Sequence, residues 1–414
     1  MRLHRLFFFF LLYLIPVQLG YHFWPKFSYI YGLRIDYLSP TIYLTDILVF
    51  FILGLWLAER FNFFLKSESS KFNFSVKNLR LFLFFVFLAV NCLLAQNQGA
   101  AIYKLVKIVE LFLLGFYISK NNYSLDAIRC PLSWTVIYSS LIAVAQFIKQ
   151  SSLGGVFYWL GERNFNFGTL GIAKGNFLGH FLLRPYATFS HPNALAGFIL
   201  AAFILSTPFV YKKNKLFFFF YFLLFSFTLF LSFSRSSWLA GLLIILLLTA
   251  RLKRLRIMFF GLTIFLLIVL LANSPIFSEE SFSQRIELNK ISLHLIKQNP
   301  IIGVGLNNFV VHLPKFQQGK ILWLQPVHNI YLLIASETGL MGLLIFLWFL
   351  ISTFKKLTAH LLAGKVDGYQ LAIALIAILF TGFFDHYWLT LQQNQMLFAL
   401  VLGLIWEVKK NKNS

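Results

Sequence analysis

The chain predicts an all-α polytopic membrane protein of about 12 transmembrane helices, with one large, partly helical extracytoplasmic loop between the ninth and tenth. Three observations carry that expectation. Hydrophobic residues make up 59% of the 414, charged residues only 12%, and phenylalanine alone occurs 52 times. Mean hydropathy is +0.75, far from the balance of a soluble domain. Apolar stretches of about span length recur along the whole chain, and Lys and Arg gather in the short connections on one side of them. The formal charge of +22 therefore points to membrane anchoring, with membrane lipids as partners and no nucleic acid.

Roughly 20 apolar residues cross about 30 Å of hydrocarbon. On that basis the spans fall near 5–21, 41–59, 78–95, 101–119, 131–149, 192–211, 214–232, 236–250, 256–273, 330–354, 368–385 and 392–408. The start, MRLHRLFFFFLLYLIPV, has the basic-then-apolar layout of a secretory signal. It lacks a small-x-small cleavage site and many spans follow, so it is expected to stay as the first helix. The stretch from Leu216 to Ala250 is too long for one crossing, at about 52 Å for a continuous helix. SFSRSS, 232–237, must therefore turn the chain.

Basic clusters set the orientation. Arg2, Arg5, the 60–80 loop, KKNK at 212–215, RLKRLR at 251–256, Lys355, Lys356 and KKNK at 409–412 all fall on one side, which is then the cytoplasm. Both termini are expected on the cytoplasmic side, and the long connections 150–191 and 274–329 outside. The chain is one integral membrane domain, 1–414, with 274–329 inserted as the outer loop. Within it, SQRIELNKISLHLI at 283–296 spaces Ile286, Ile291, Leu295 and Ile296 at helical intervals, ending before Asn299 and Pro300. GVGLNNF at 303–309 supplies glycines for a turn or tight packing. No strand or βαβ pattern surrounds its GxG, so it is no nucleotide fingerprint. No internal repeat is evident, which weighs against the repeat architectures of secondary transporters.

Cations on the outer side stand out, because orientation bias disfavours them there. Arg184 lies in RPYATFSHPNALAG before the sixth helix, Arg235 in the turn SFSRSSWLAG, Arg285 in the amphipathic outer segment, and His328 at the start of the tenth helix. Arginine binds phosphate oxygens in bidentate fashion and stays charged, while neutral imidazole takes a proton near pH 7. Such a set can hold a membrane-anchored diphosphate, stabilise its departing charge and activate an incoming hydroxyl.

Each residue also has a plainer role open to it. Arg235 fits snorkelling from its helix end, Arg285 a solvated helix face, and Arg184 an interface anchor or a pair with Glu162. His191 and Asn193 flank Pro192 at a helix start, where Ser190 could cap. His328 and Asn329 sit at another helix start. Glu337, within an apolar stretch, needs a buried partner such as an arginine. Asp385 and His386 suit an interface. Cys92 and Cys130 lack metal-ligand spacing and imply no disulfide framework. No carboxylate-rich metal site is visible, so no metal and no cofactor is expected.

Several of these stretches together resemble the O-antigen ligase and polymerase superfamily of bacterial membrane glycosyltransferases. They are RPYATFSHPNALAGF, SFSRSSWLAG, NPIIGVGLNNF and HNIYLLIASETGLMGLL, in that order. The resemblance covers most of the length and is most specific from Arg184 onward. It implies a C-type glycosyltransferase architecture, an undecaprenyl-diphosphate-linked glycan donor and no metal requirement. The acceptor would be lipid A core for a ligase or a carrier-linked glycan for a polymerase. By matching motif positions, Arg235 and Arg285 would hold diphosphate, His328 would activate the acceptor hydroxyl, and Arg184 would add a donor contact. His191, Asn193, Asn329 and Glu337 are the further substrate-side candidates. A lipid-linked sugar transporter and a non-catalytic envelope scaffold are the competing classes.

Overall fold

A computed structural model describes residues 2–65, 76–177, 179–249, 279–317, 323–362 and 366–407, and most of them are helical. The longer helices are α1 Leu3–Leu14, α2 Leu44–Leu65, α3 Val76–Leu94, α4 Gln98–Lys120, α5 Leu125–Lys149, α6 Pro192–Lys213, α7 Lys215–Leu231, α8 Arg235–Thr249, α9 Glu279–Gln298, α10 Ile330–Leu362, α11 Val366–Gly382 and α12 Gln392–Ile405. Among the described residues α5, α6 and α10 are long and apolar enough to cross a bilayer. The expected ninth span, 256–273, and the basic runs 251–256 and 409–412 lie outside the described residues.

Two expectations are corrected. The first span does not run to 21, because α1 stops at Leu14. Pro16 disfavours helical geometry at the residue before it and brings no N–H of its own. The all-α expectation also missed three short antiparallel pairs. They are β1 Gly20–His22 with β4 Thr41–Tyr43, β2 Tyr29–Ile30 with β3 Leu33–Arg34, and β5 Lys174–Phe177 with β6 His180–Leu183. Between β2 and β3 the two loop residues, Tyr31 and Gly32, have φ of 50° and 79°. Left-handed geometry at both positions of a two-residue loop is what closes a hairpin along the strands' own twist.

Contacts divide the chain into two compact units. The first comprises 1–8, 20–117 and 283–352; the second comprises 9–19, 118–282 and 353–414. In the first unit Asn97 caps α4, its Oδ1 accepting from the Ala100 N–H at 3.0 Å. Lys107 of α4, itself buried, donates to Asp46 of α2 at 2.7 Å and to Glu110 at 3.0 Å, so its charge is paired. The amphipathic segment is helical, as its spacing predicts, but its inner stripe differs. Leu288, Ile291, Ser292 and Leu295 are buried, while Ile286 faces out.

In the second unit α6 is buried along almost its whole length, packed by α5, α7 and α11. A helix apolar on every side must be enclosed on every side, and α6 is. Its end is sharp. Asn214 closes α6 through its N–H to the Val210 carbonyl and opens α7 through its Oδ1, which accepts from the Phe217 N–H. The turn predicted at 232–237 occupies the three residues between α7 and α8. Phe233 takes φ 49°, and the Trp238 Nε1–H donates back to the Leu229 carbonyl at 2.7 Å.

Candidate active site

In the first unit the site residues hang on a broken helix. Gly339, at φ 68° and ψ −178°, interrupts α10 between the nine residues from Ile330 to Thr338 and the apolar length that follows. A break frees backbone groups that would each cost several kcal/mol if left bare in lipid. The loop after α9 takes them up. The Leu340 N–H donates to the Pro300 carbonyl at 2.7 Å, the Val304 N–H to the Ser336 carbonyl at 2.9 Å, and the Gly305 N–H to the Glu337 carbonyl at 2.9 Å. A Cβ on Gly339 would overlap the Ile301 carbonyl, and one on Gly303 would overlap the backbone from Glu337 to Gly339. The glycines of NPIIGVG and ETG are therefore two halves of one backbone contact.

Asn91 of α3 completes it. Fully buried, its Nδ2 donates to the carbonyls of Ile302 (2.8 Å) and Glu337 (3.0 Å), and its Oδ1 accepts from the Leu306 N–H (2.8 Å). The loop is held further by Asn308, which exchanges hydrogen bonds with the Asn97 backbone, and by Asn307, whose Nδ2 donates to the Tyr37 carbonyl at 2.8 Å. His312 donates to the Asn308 carbonyl at 2.9 Å, and burial pulls its imidazole below the usual range.

These contacts also set the level of the candidates. Ser292 Oγ donates to the Leu332 carbonyl at 3.1 Å, and Pro300 meets Leu340. Both pairs are forty positions apart, so α9 and the first half of α10 run parallel. Arg285 lies seven residues before Ser292 on α9, and His328 lies two residues before α10 begins at Ile330. Arg285 and His328, both half-buried, thus belong to the same end of this helix pair.

Asn329 has a structural task at that end. Its Oδ1 accepts from the N–H groups of Tyr331 (2.9 Å) and Leu332 (3.0 Å), capping α10 directly behind His328. Glu337, expected to need a buried partner such as an arginine, feels the charge of Lys104 of α4, and the Phe309 N–H lies 3.4 Å from its Oε1.

The second unit holds the other candidates. Arg184 donates through Nε to the Ser232 carbonyl at 2.7 Å and through Nη2 to Asn193 Oδ1. Ser232 opens the turn that carries Arg235, so Arg184 braces the loop from which Arg235 projects at the N-terminus of α8. The alternative pairing with Glu162 is not made. That carboxylate accepts from Gln146 Nε2 (2.7 Å) and from the N–H groups of Leu153 (2.6 Å) and Gly154 (2.7 Å). His191, not Ser190, caps α6: its Nδ1 accepts from the Asn193 N–H at 3.1 Å, with Pro192 in the first turn.

Asn193 Nδ2 donates on to Asp385 Oδ2 at 2.8 Å, and Asp385 Oδ1 accepts from the His386 N–H at 2.8 Å. The two residues read as interface side chains are thus buried, and they end a polar chain that begins at Arg184. Burial pushes the nearby Tyr186 hydroxyl up, and its oxygen accepts from the Ala173 N–H.

Sequence reasoning missed Asn91 and the Arg184–Asn193–Asp385 chain. A polar residue in the last turn of an apolar span was the available signal for the first. The second joins residues 192 positions apart and left none.

Residues 220–347 match the family model described as O-antigen ligase. That range contains Arg235, Arg285, the loop and broken helix of the first unit, His328, Asn329 and Glu337; Arg184, His191 and Asn193 precede it. No curated protein matches the chain. The superfamily of O-antigen ligases and polymerases, membrane glycosyltransferase-like enzymes, is therefore the family to which this segment of the membrane protein belongs.

Proposed function

We propose that the chain transfers a glycan from an undecaprenyl-diphosphate carrier to an acceptor sugar hydroxyl on the outer side of the bacterial cytoplasmic membrane, inverting the anomeric centre and using no metal. Arg235 and Arg285 hold the diphosphate and stabilise the charge that grows on it as the glycosidic bond to phosphate breaks. His328 removes the proton of the attacking hydroxyl. Arg184 adds a donor contact, acting also through its hold on the Ser232 turn. The observation that carries this reading is that one family match contains Arg235, Arg285 and His328 together. The parallel run of α9 and α10, with Arg285 and His328 toward the same end of the pair, supports it.

Transfer to lipid A core, as in a ligase, is the favoured form. Joining of repeat units on the carrier is the alternative, with the same chemistry and a different acceptor. Purified protein incubated with a lipid-diphosphate oligosaccharide and each acceptor separates them by product. His328→Ala is expected to abolish transfer while donor binding survives, and Arg235→Ala or Arg285→Ala to weaken donor binding or the chemical step. Normal turnover by the His328→Ala protein would remove the base assignment. Translocation of the donor without any new glycosidic bond would replace the enzyme with a transporter.

A further inference from the structure

We propose that segment 154–177 of the second unit is a lipid-docking surface, lying in the headgroup layer of the bilayer and taking an anionic phospholipid. The segment is firmly built on its inner side. The buried Glu162 carboxylate accepts three hydrogen bonds at its base. Phe165 packs with Leu183 and Tyr186 in a small core that Ile172 and Ala173 cover. The Ser152 N–H donates to the Phe165 carbonyl at 2.9 Å. Its outer side carries Val156, Tyr158, Trp159, Phe167 and Leu170, with Trp159 68% and Leu170 97% exposed. Large apolar side chains fixed in outward positions require a cover.

Two properties say what that cover is. The backbone is a 3-10 turn, loops and a short strand, with far fewer internal hydrogen bonds than a helix, so it cannot enter hydrocarbon. The interface is where such a backbone stays hydrated while Trp, Tyr and Leu side chains reach the acyl chains, and Trp and Tyr are enriched there. The second property is charge. Arg163 and Lys174 are exposed on this segment, and its acid, Glu162, is consumed beneath. Lys174 Nζ stands 4.1 Å over the Phe167 ring, and Arg163 donates to the Ser190 carbonyl at 3.2 Å, contacts that leave both charges unneutralised. Cations beside apolar anchors match a phosphate headgroup above its acyl chains.

The test uses the full chain in nanodiscs of equimolar phosphatidylcholine and phosphatidylglycerol, with bromines on the acyl chains of one lipid at a time. The emission difference between the wild type and Trp159→Phe isolates Trp159, a surface residue whose replacement leaves the fold intact. Quenching of that difference, stronger when phosphatidylglycerol carries the bromine, is the expected result. Arg163→Gln with Lys174→Gln should lower the phosphatidylglycerol preference by roughly 30-fold, about fivefold for each cation near an anionic surface. Unquenched, water-like Trp159 emission overturns the proposal. Equal quenching by both lipids, unchanged in the double variant, overturns the anionic assignment. A Trp159 shift that follows protein concentration in detergent assigns the face to a second copy instead.

Discussion

Asn91 shows how much one side chain carries. An amide has two N–H donors and a carbonyl acceptor, and Asn91 spends both donors on the carbonyls of Ile302 and Glu337 and its acceptor on the Leu306 N–H. Hydrophobic isosteres such as Leu match its size and none of its bonds. Truncation to Ala strands the Ile302 carbonyl and the Leu306 N–H, each worth about 1–3 kcal/mol when unsatisfied, while the Glu337 carbonyl keeps the Gly305 N–H. Asn91→Ala is therefore expected to lose roughly 2 kcal/mol or more in a detergent-denaturant unfolding titration. Asn91→Asp, which keeps the acceptor and loses the donors, should fall between it and the wild type. A midpoint for Asn91→Ala within error of wild type would mean the loop is held without it. The residue sits inside an apolar span, where its type alone says only that a partner exists. Which partner was not legible, since Leu306 is 215 positions away.

The broken helix α10 gives the same lesson for an element. ETGLMGLL continues an apolar run, and hydropathy integrates straight across it, so the sequence predicts one unbroken span at 330–354. Gly339 adopts a left-handed φ there, with the loop from Pro300 filling the gap that results. Gly339→Ala meets two penalties, a strained backbone for an L side chain and overlap with the Ile301 carbonyl. Gly54→Ala in α2 meets neither, as nothing lies within 4 Å of its added Cβ, and alanine is the better helix former. The expected outcome is a clear loss of thermal stability and of transfer activity for Gly339→Ala, with Gly54→Ala neutral or slightly stabilising. Equal effects of the two would show that the break is not locked by this contact. Elements with plain local grammar were legible: the 232–234 turn from the length limit on a span, and the end of α9 from Asn299 and Pro300. The short hairpins were not, because two to four residues give too little alternation to read. The end of α1 was written in Pro16, and the apolar run around it hid the mark.

For the whole molecule, the strongest expectation from sequence is orientation, and it bears on every chemical assignment. If the basic run at 212–215 marks the cytoplasmic side, Lys213 lies inside and Asn176, in the 150–191 connection, outside. Both side chains are exposed, so each can be replaced by cysteine after Cys92 and Cys130 are changed to alanine. In intact cells stripped of their outer envelope, a membrane-impermeant maleimide should label Asn176→Cys directly and Lys213→Cys only after permeabilisation. Labelling of both from one side would break the alternation between α6 and the segment before it. A full reversal would put Arg184, Arg235, Arg285 and His328 in the cytoplasm, facing nucleotide-sugar pools instead of exported lipid-linked glycans. The family would then stand, since it rests on residues 220–347, but transfer on the outer face would fall with the orientation.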